Sequence, residues 1–224
     1  MSSVIRDVYA TGLANFGMII RDCQDTKTDN VRLYGAPAYK NPAIEDDGIY
    51  LPKFGASEHV RVRDCQVKDF GGQGIYVGGS HVVIEANRVE DCEEWGIYVA
   101  LGAVRCCVSK NSVKGCSTSG SLADGIGIYV LGDDCRVSDN FATVVNDTAG
   151  VGAYVAGLAL NAARCAATGN NVNGLGTGGA TLRGILFGNG SVGSCVAVGN
   201  HMNGKGFVDL VGGNFCDVGH GNQP

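Results

Sequence analysis

The 224-residue chain is poor in proline, with 4 residues, and in tryptophan, with 1, and only 17% of its residues are charged. It has no run of lysines and arginines, and its formal net charge is −5. A protein that tracks a phosphate backbone needs clustered cations, so a nucleic-acid partner is excluded. No apolar stretch approaches the roughly eighteen residues of a membrane helix, which excludes a membrane partner of that kind. The start, Met1-Ser2-Ser3-Val4-Ile5-Arg6-Asp7, lacks the basic and apolar regions of a secretory signal, so synthesis is expected to leave the chain in the cytoplasm. Cys-x-x-Cys pairs are also absent, and with them the usual zinc spacing; neither metal nor cofactor is expected.

What is abundant is glycine, at 36 residues, and cysteine, at 10. Glycine stands at more than twice its usual share, yet without the proline or three-residue period of collagen. An apolar content of 45% is ample for a core. The cysteines do not fit a small disulfide scaffold in a chain this long without a signal, and are expected to be reduced.

The glycines recur in a tetrapeptide: Gly48-Ile49-Tyr50-Leu51, Gly74-Ile75-Tyr76-Val77, Gly96-Ile97-Tyr98-Val99, Gly127-Ile128-Tyr129-Val130 and Gly152-Ala153-Tyr154-Val155, with weaker copies at Gly184 and Gly206. Successive glycines are 26, 22, 31, 25, 32 and 22 residues apart, a spacing natural where one loop per repeat varies. A second motif is centred on Cys65, Asn87, Asn111, Asn140, Asn170 and Asn200. Apolar residues stand five and three places before that centre and two after it, with polar residues between. This predicts two short alternating strands broken at the asparagine, with Gly-Ile-Tyr as a third. Asparagine suits such a corner because it tolerates left-handed backbone and its amide can bond its copy in the next repeat. Glycine before each isoleucine fits a sharp bend.

Three short strands per repeat, stacking coil on coil at about 4.8 Å, predict an all-β, right-handed, single-stranded parallel β-helix of seven to nine coils. The pattern resembles the right-handed β-helices of the pectate-lyase-like superfamily over residues 48–224. Residues 1–47 follow it loosely, as one or more irregular coils or a cap: Met18 to Cys23 resembles Val60 to Cys65.

Cys106, Cys135, Cys165 and Cys195 fall on one inward column, and Cys92 and Cys116 on another. The outward residues Tyr50, Tyr76, Tyr98, Tyr129 and Tyr154, continued by Leu186 and Val208, form an apolar stripe where polar residues should alternate. It is either a subunit interface or a platform for sugar rings, with the interface favoured because the stripe turns aliphatic. Acidic residues gather before that strand: Asp47, Glu94 beside Trp95, and Asp124. Glu94 and Asp124 on adjacent coils, or Asp47 and Glu94 two coils apart, bracket the carboxylate spacings of retaining and inverting glycosidases; alternatively they are solvated loop charges. Trp95 could stack on a sugar. His59, His81 and Arg105 share a column six places before the corner, either a uronate-binding row or a surface charge ladder. The glycine-rich Gly174 to Gly179 and Gly199 to Lys205 match nucleotide-binding patterns, but neither opens a helix after a strand.

Among β-helices the chain is most similar to the shafts of bacteriophage tailspikes and fibres. That resemblance implies a homotrimer, located in the virion with other virion proteins as neighbours, that binds bacterial surface polysaccharide and could degrade it. Two alternatives remain open: a free-standing polysaccharide lyase, glycoside hydrolase or epimerase, and a purely structural fibre or decoration protein. The lyase and epimerase signatures of the superfamily are absent from this sequence.

Overall fold

The computed structural model describes residues 3–36, 46–53, 57–116, 125–146, 154–176, 181–188, 195–203, 209–210 and 215–216. Its strands form three parallel sheets of nine, eight and eight members. One coil consists of Val83–Glu85 in the first sheet, Arg88–Glu90 in the second and Trp95–Val99 in the third. Each strand pairs in register with its counterparts one coil before and one coil after; Ile84, for example, lies between Val62 and Val108. The expected parallel β-helix is therefore the fold.

Strands of the first two sheets bury their middle residue, as Arg61-Val62-Arg63 does, whereas strands of the third bury the residues on either side of an outward one, as Ile75-Tyr76-Val77 does. Stacked, these inward residues make continuous columns. Val62, Ile84, Val108, Val137 and Ala167 line the first sheet, Val67, Val89, Val113, Ala142 and Val172 the second, and Ile75, Ile97, Ile128, Leu158 and Ile185 the third, all buried. No single coil could dry these side chains; burial comes from the neighbours above and below.

The asparagine ladder lies inside the corner between the first and second sheets, and every rung is buried. The amide of Asn87 donates to the Asn111 side-chain oxygen at 3.0 Å and to the Val62 carbonyl at 3.0 Å, and the Asn111, Asn140 and Asn170 amides repeat this pattern. The left-handed residue of the corner is not the asparagine, as its chemistry suggested, but the one before it: Asp64, Ala86, Lys110, Asp139, Gly169 and Gly199 all have positive φ. The asparagine itself spends its side chain on main-chain groups that the turn leaves without strand partners.

The glycines of the Gly-Ile-Tyr strands are required by close approach rather than by a bend. A Cβ on Gly96 would meet the Gly127 carbonyl at 2.6 Å and collide with Val113, and one on Gly74 would meet the Gly96 carbonyl at 2.7 Å and collide with Val89. Neither glycine has positive φ.

Coil stacking starts near the beginning of the chain. Val4–Arg6 pairs with Lys27–Asp29, which pairs with Arg61–Arg63, so residues 4 to 51 supply two coils and pairing passes through residue 48 without a break. The resemblance of Met18 to Val60 is misleading: Met18–Ile19 belongs to the third sheet, against Ile49 and Tyr50, and Lys27-Thr28-Asp29 takes the place beside Arg61–Arg63. Thr28 is fully buried in the slot that Val62 fills one coil later, because its methyl group fits there.

Candidate functional site: an aromatic ladder on the third sheet

The outward face of the third sheet carries a ladder of rings. Tyr50, Tyr76, Tyr98 and Tyr129 are register partners on four successive coils. Their centroids are 4.7, 5.4 and 5.6 Å apart in that order, each pair tilted or edge-on. Trp95 packs against Tyr98 at 4.4 Å and Tyr129 at 5.2 Å, and Phe16 extends the ladder beyond Tyr50 at 4.8 Å. All six rings are half-buried, so each presents part of a face or edge to the outside. Strand stacking sets the spacing, because one outward residue per coil repeats at the interstrand distance.

The ladder ends earlier than its sequence pattern suggested. Tyr129 pairs with Ala159, which pairs with Leu186, which pairs with Asp209. Tyr154 lies at the start of its strand against Thr181, five places before the column, and Val208 falls outside the described residues. The Gly-Ala-Tyr-Val copy was a decoy for Gly157-Leu158-Ala159-Leu160, which puts Leu158 in the inward column that Ile128 occupies. Fit of the inward side chains decides register; the outward tyrosine has no vote. Below the rings, Ile126, Ala156 and Ala159 form a small cluster outside the main core, covered by Trp95, Tyr129 and Leu186.

A chain of polar groups borders the N-terminal ends of these strands. Asp47 is buried and accepts a 2.7 Å hydrogen bond from the Gln73 main-chain amide, and the Gln73 side chain donates to Glu94. Asp46, also buried, accepts from the Gly71 amide at 3.2 Å with one carboxyl oxygen, while the other has no hydrogen-bond partner among the described residues. Burial raises the Asp46 pKa above the ordinary carboxylate value. Asp47 and Glu94 are thus brought together through Gln73, but Asp47 is enclosed and serves as a loop anchor. Asp124 lies outside the described residues. Glu94 is half-exposed beside the rings, and its charge contributes, after burial and the neighbouring Tyr76 and Tyr129, to pushing the Tyr98 phenol up to about 12. That hydroxyl remains a neutral donor throughout the physiological range.

The column six places before the corner divides in two. His59 and His81 stack at 4.9 Å with a 16° interplanar angle. Beyond Arg105, Arg164 makes a two-pronged pair with Asp134 at 2.6 and 3.0 Å, so that end is closed on itself. All of these residues are left-handed turn positions.

The family model described as "Right handed beta helix region" matches residues 16–218. The chain belongs to this right-handed β-helix family. No curated protein sequence matches the chain. Among solved structures, this β-helix is similar to the surface protein and adhesin PfbA of Streptococcus pneumoniae, with 14% identity and a TM-score of 0.57 over 95% of this chain and 64% of that one. It is also similar to a GH136 lacto-N-biosidase from Eubacterium ramulus, with 15% identity and a TM-score of 0.53 over 94% of this chain and 45% of that one. The β-helix therefore spans about two thirds or less of these neighbours. At such identities the likeness is one of fold.

Two members of the site were not singled out in the sequence. Phe16 precedes Gly17-Met18-Ile19, a copy of the glycine-led strand whose aliphatic outward residue hid the repeat. Gln73 carries no charge and matters only because the coil spacing places it between Asp47 and Glu94.

Proposed function

We propose that this β-helix binds a bacterial surface polysaccharide along the aromatic ladder of its third sheet, in the manner of a tailspike or fibre shaft, and that it works as a homotrimer. The observation carrying the reading is the unbroken row of half-exposed rings from Phe16 to Tyr129, bordered by Gln73 and Glu94. Aromatic faces with phenolic hydroxyls offer a sugar ring both an apolar surface and hydrogen-bonding groups. A row at strand spacing suits an extended chain better than a single compact ligand. The half-buried Leu186, which continues the same face in aliphatic form, supports contact between copies.

Degradation draws less support. A glycosidase needs two accessible carboxylates flanking the bond; Asp47 is enclosed, which leaves Glu94 at the ladder among the described residues, with Asp124 outside them. A glycan array and calorimetry on the full chain test the reading. Binding of at least one bacterial polysaccharide, lost in Tyr76→Ala/Tyr98→Ala and retained in Glu94→Gln, is expected. Release of reducing ends by the wild type, abolished in Glu94→Gln, would instead establish the enzyme.

A further inference from the structure

A second surface, on the outer face of the first sheet, has features that the aromatic ladder does not use. A cavity of about 460 Å³ is lined by Asp25, Lys27, His59, Arg61, His81 and Val83. A neighbouring cavity of about 250 Å³ shares Lys27 and Arg61 and adds Arg6, Asp29 and Arg63.

Lys27 and Arg61 are register partners on adjacent strands. Like charges directly opposite each other in a sheet are destabilising, whereas nearby cations on this side have carboxylate partners: Arg63 with Asp29 and Asp64, Lys110 with Glu85 and Arg164 with Asp134. Lys27 and Arg61 have no ion-pair partner among the described residues, and Asp25 is the one carboxylate lining the cavity with them. The next residue in register after Arg61 is Val83, which gives the cavity an apolar floor. The His59 and His81 rings, stacked on each other, form one side of the cavity. The Nδ1 atom of His81 is enclosed without a hydrogen-bond partner, so a hydrogen bond to a ligand would come from Nε2.

A bare ion needs far less room than this cavity offers, and its volume falls in the range of organic ligand sites. We propose that it is a binding site for an acidic saccharide unit. Lys27 and Arg61 hold the carboxylate or sulfate group, the edges of the stacked histidines border the sugar ring with Nε2 available for a hydrogen bond, and Val83 contacts its apolar side. An anion there relieves the repulsion between the two cations, and a charge-assisted pair with Arg61 is among the stronger polar contacts available. The site is on a different sheet from the aromatic ladder and does not depend on it.

The test is calorimetry of the full chain with a hexameric oligogalacturonate, a sulfated oligosaccharide of equal length and neutral maltohexaose. One or both acidic saccharides should bind and the neutral one should not; which acid binds separates carboxylate from sulfate. Affinity should fall about tenfold or more in Lys27→Met/Arg61→Met and be retained in Lys27→Arg. Tyr98→Ala should leave this binding unchanged, which separates its failure from failure of the ladder. If the double methionine variant does not fold by circular dichroism, the same loss is expected in His59→Gln/His81→Gln. Absence of binding by both acids, equal binding of the neutral hexamer, or wild-type affinity in a folded variant overturns the proposal.

Discussion

Asn140 shows how much one side chain does inside a coil corner. Its oxygen accepts from both the main-chain and side-chain amides of Asn111, and its own amide donates to Val108 and Asn170. Asn140→Ala leaves the buried Asn111 N–H and Val108 carbonyl without these partners and should cost roughly 2–5 kcal/mol in a denaturant titration. The ladder stops at Cys65, whose thiol lies 3.1 Å from the Arg63 carbonyl of its own coil and 3.9 Å from the Thr28 carbonyl of the coil before. Cys65→Asn should extend it by one rung and raise stability by about 1 kcal/mol. Asp46 works in the opposite direction. Its pKa is raised by burial, so the protonated form is favoured in the folded state and its contribution declines as pH rises from the ordinary carboxylate value through the folded one. Melting temperatures of wild type and Asp46→Asn should therefore be close in acid and separate in favour of the variant toward neutrality. The core thiols behave as small apolar side chains. Hydrogen bonding to Cys106, together with burial, pushes Cys135 up to about 12, and burial pushes Cys65 up to about 11. A thiol reagent applied to the native protein should label the half-exposed Cys23 and Cys107 before either.

Strands of three residues are too short to be stable alone, and each is held by the coils on both sides. The third sheet is the most demanding, because its glycines let the chain pass close to both the second sheet and the next coil. Gly96→Ala forces a methyl group against Val113 and the Gly127 carbonyl. It should cost about 3 kcal/mol, read as a lowered melting temperature, whereas alanine at Gly12, where a Cβ meets nothing within 4 Å, gains no clash and bears only the strain of its positive φ. Element registers also explain where sequence reading went astray. Tyr154 and Met18 each begin a plausible copy of a motif, but a strand locks where its inward residue fits, and at those places Leu158 and Thr28 fit. A two- or three-residue match to an outward pattern cannot compete with a buried column.

At the scale of the whole molecule, eight complete coils among the described residues give three long faces with different chemistry. The third sheet carries the rings, and the first carries the facing cations Lys27 and Arg61 beside stacked histidines. Sedimentation equilibrium should return a trimer, and Leu186→Asp, which puts a charge in the aliphatic end of the ring face, should shift it toward monomer while leaving the coil spectrum intact. A native monomer would remove the subunit-contact part of the proposal and leave the glycan-binding part standing.

The periodicity of Asn87, Asn111, Asn140, Asn170 and Asn200 and of the Gly-Ile-Tyr strands was enough to establish a parallel β-helix, its inward columns and the four-tyrosine row from Tyr50 to Tyr129. Repetition makes this legible, since each coil is an independent copy of the same physical constraint. What only the tertiary structure decided is the company each residue keeps across coils. Gln73 bridges Asp47 and Glu94, Asp47 is closed off from any substrate, Tyr154 leaves the row, and Lys27 meets Arg61. These contacts join residues 21 to 34 places apart through loops of unequal length, and loop length carries no periodic signal from which their alignment could be read.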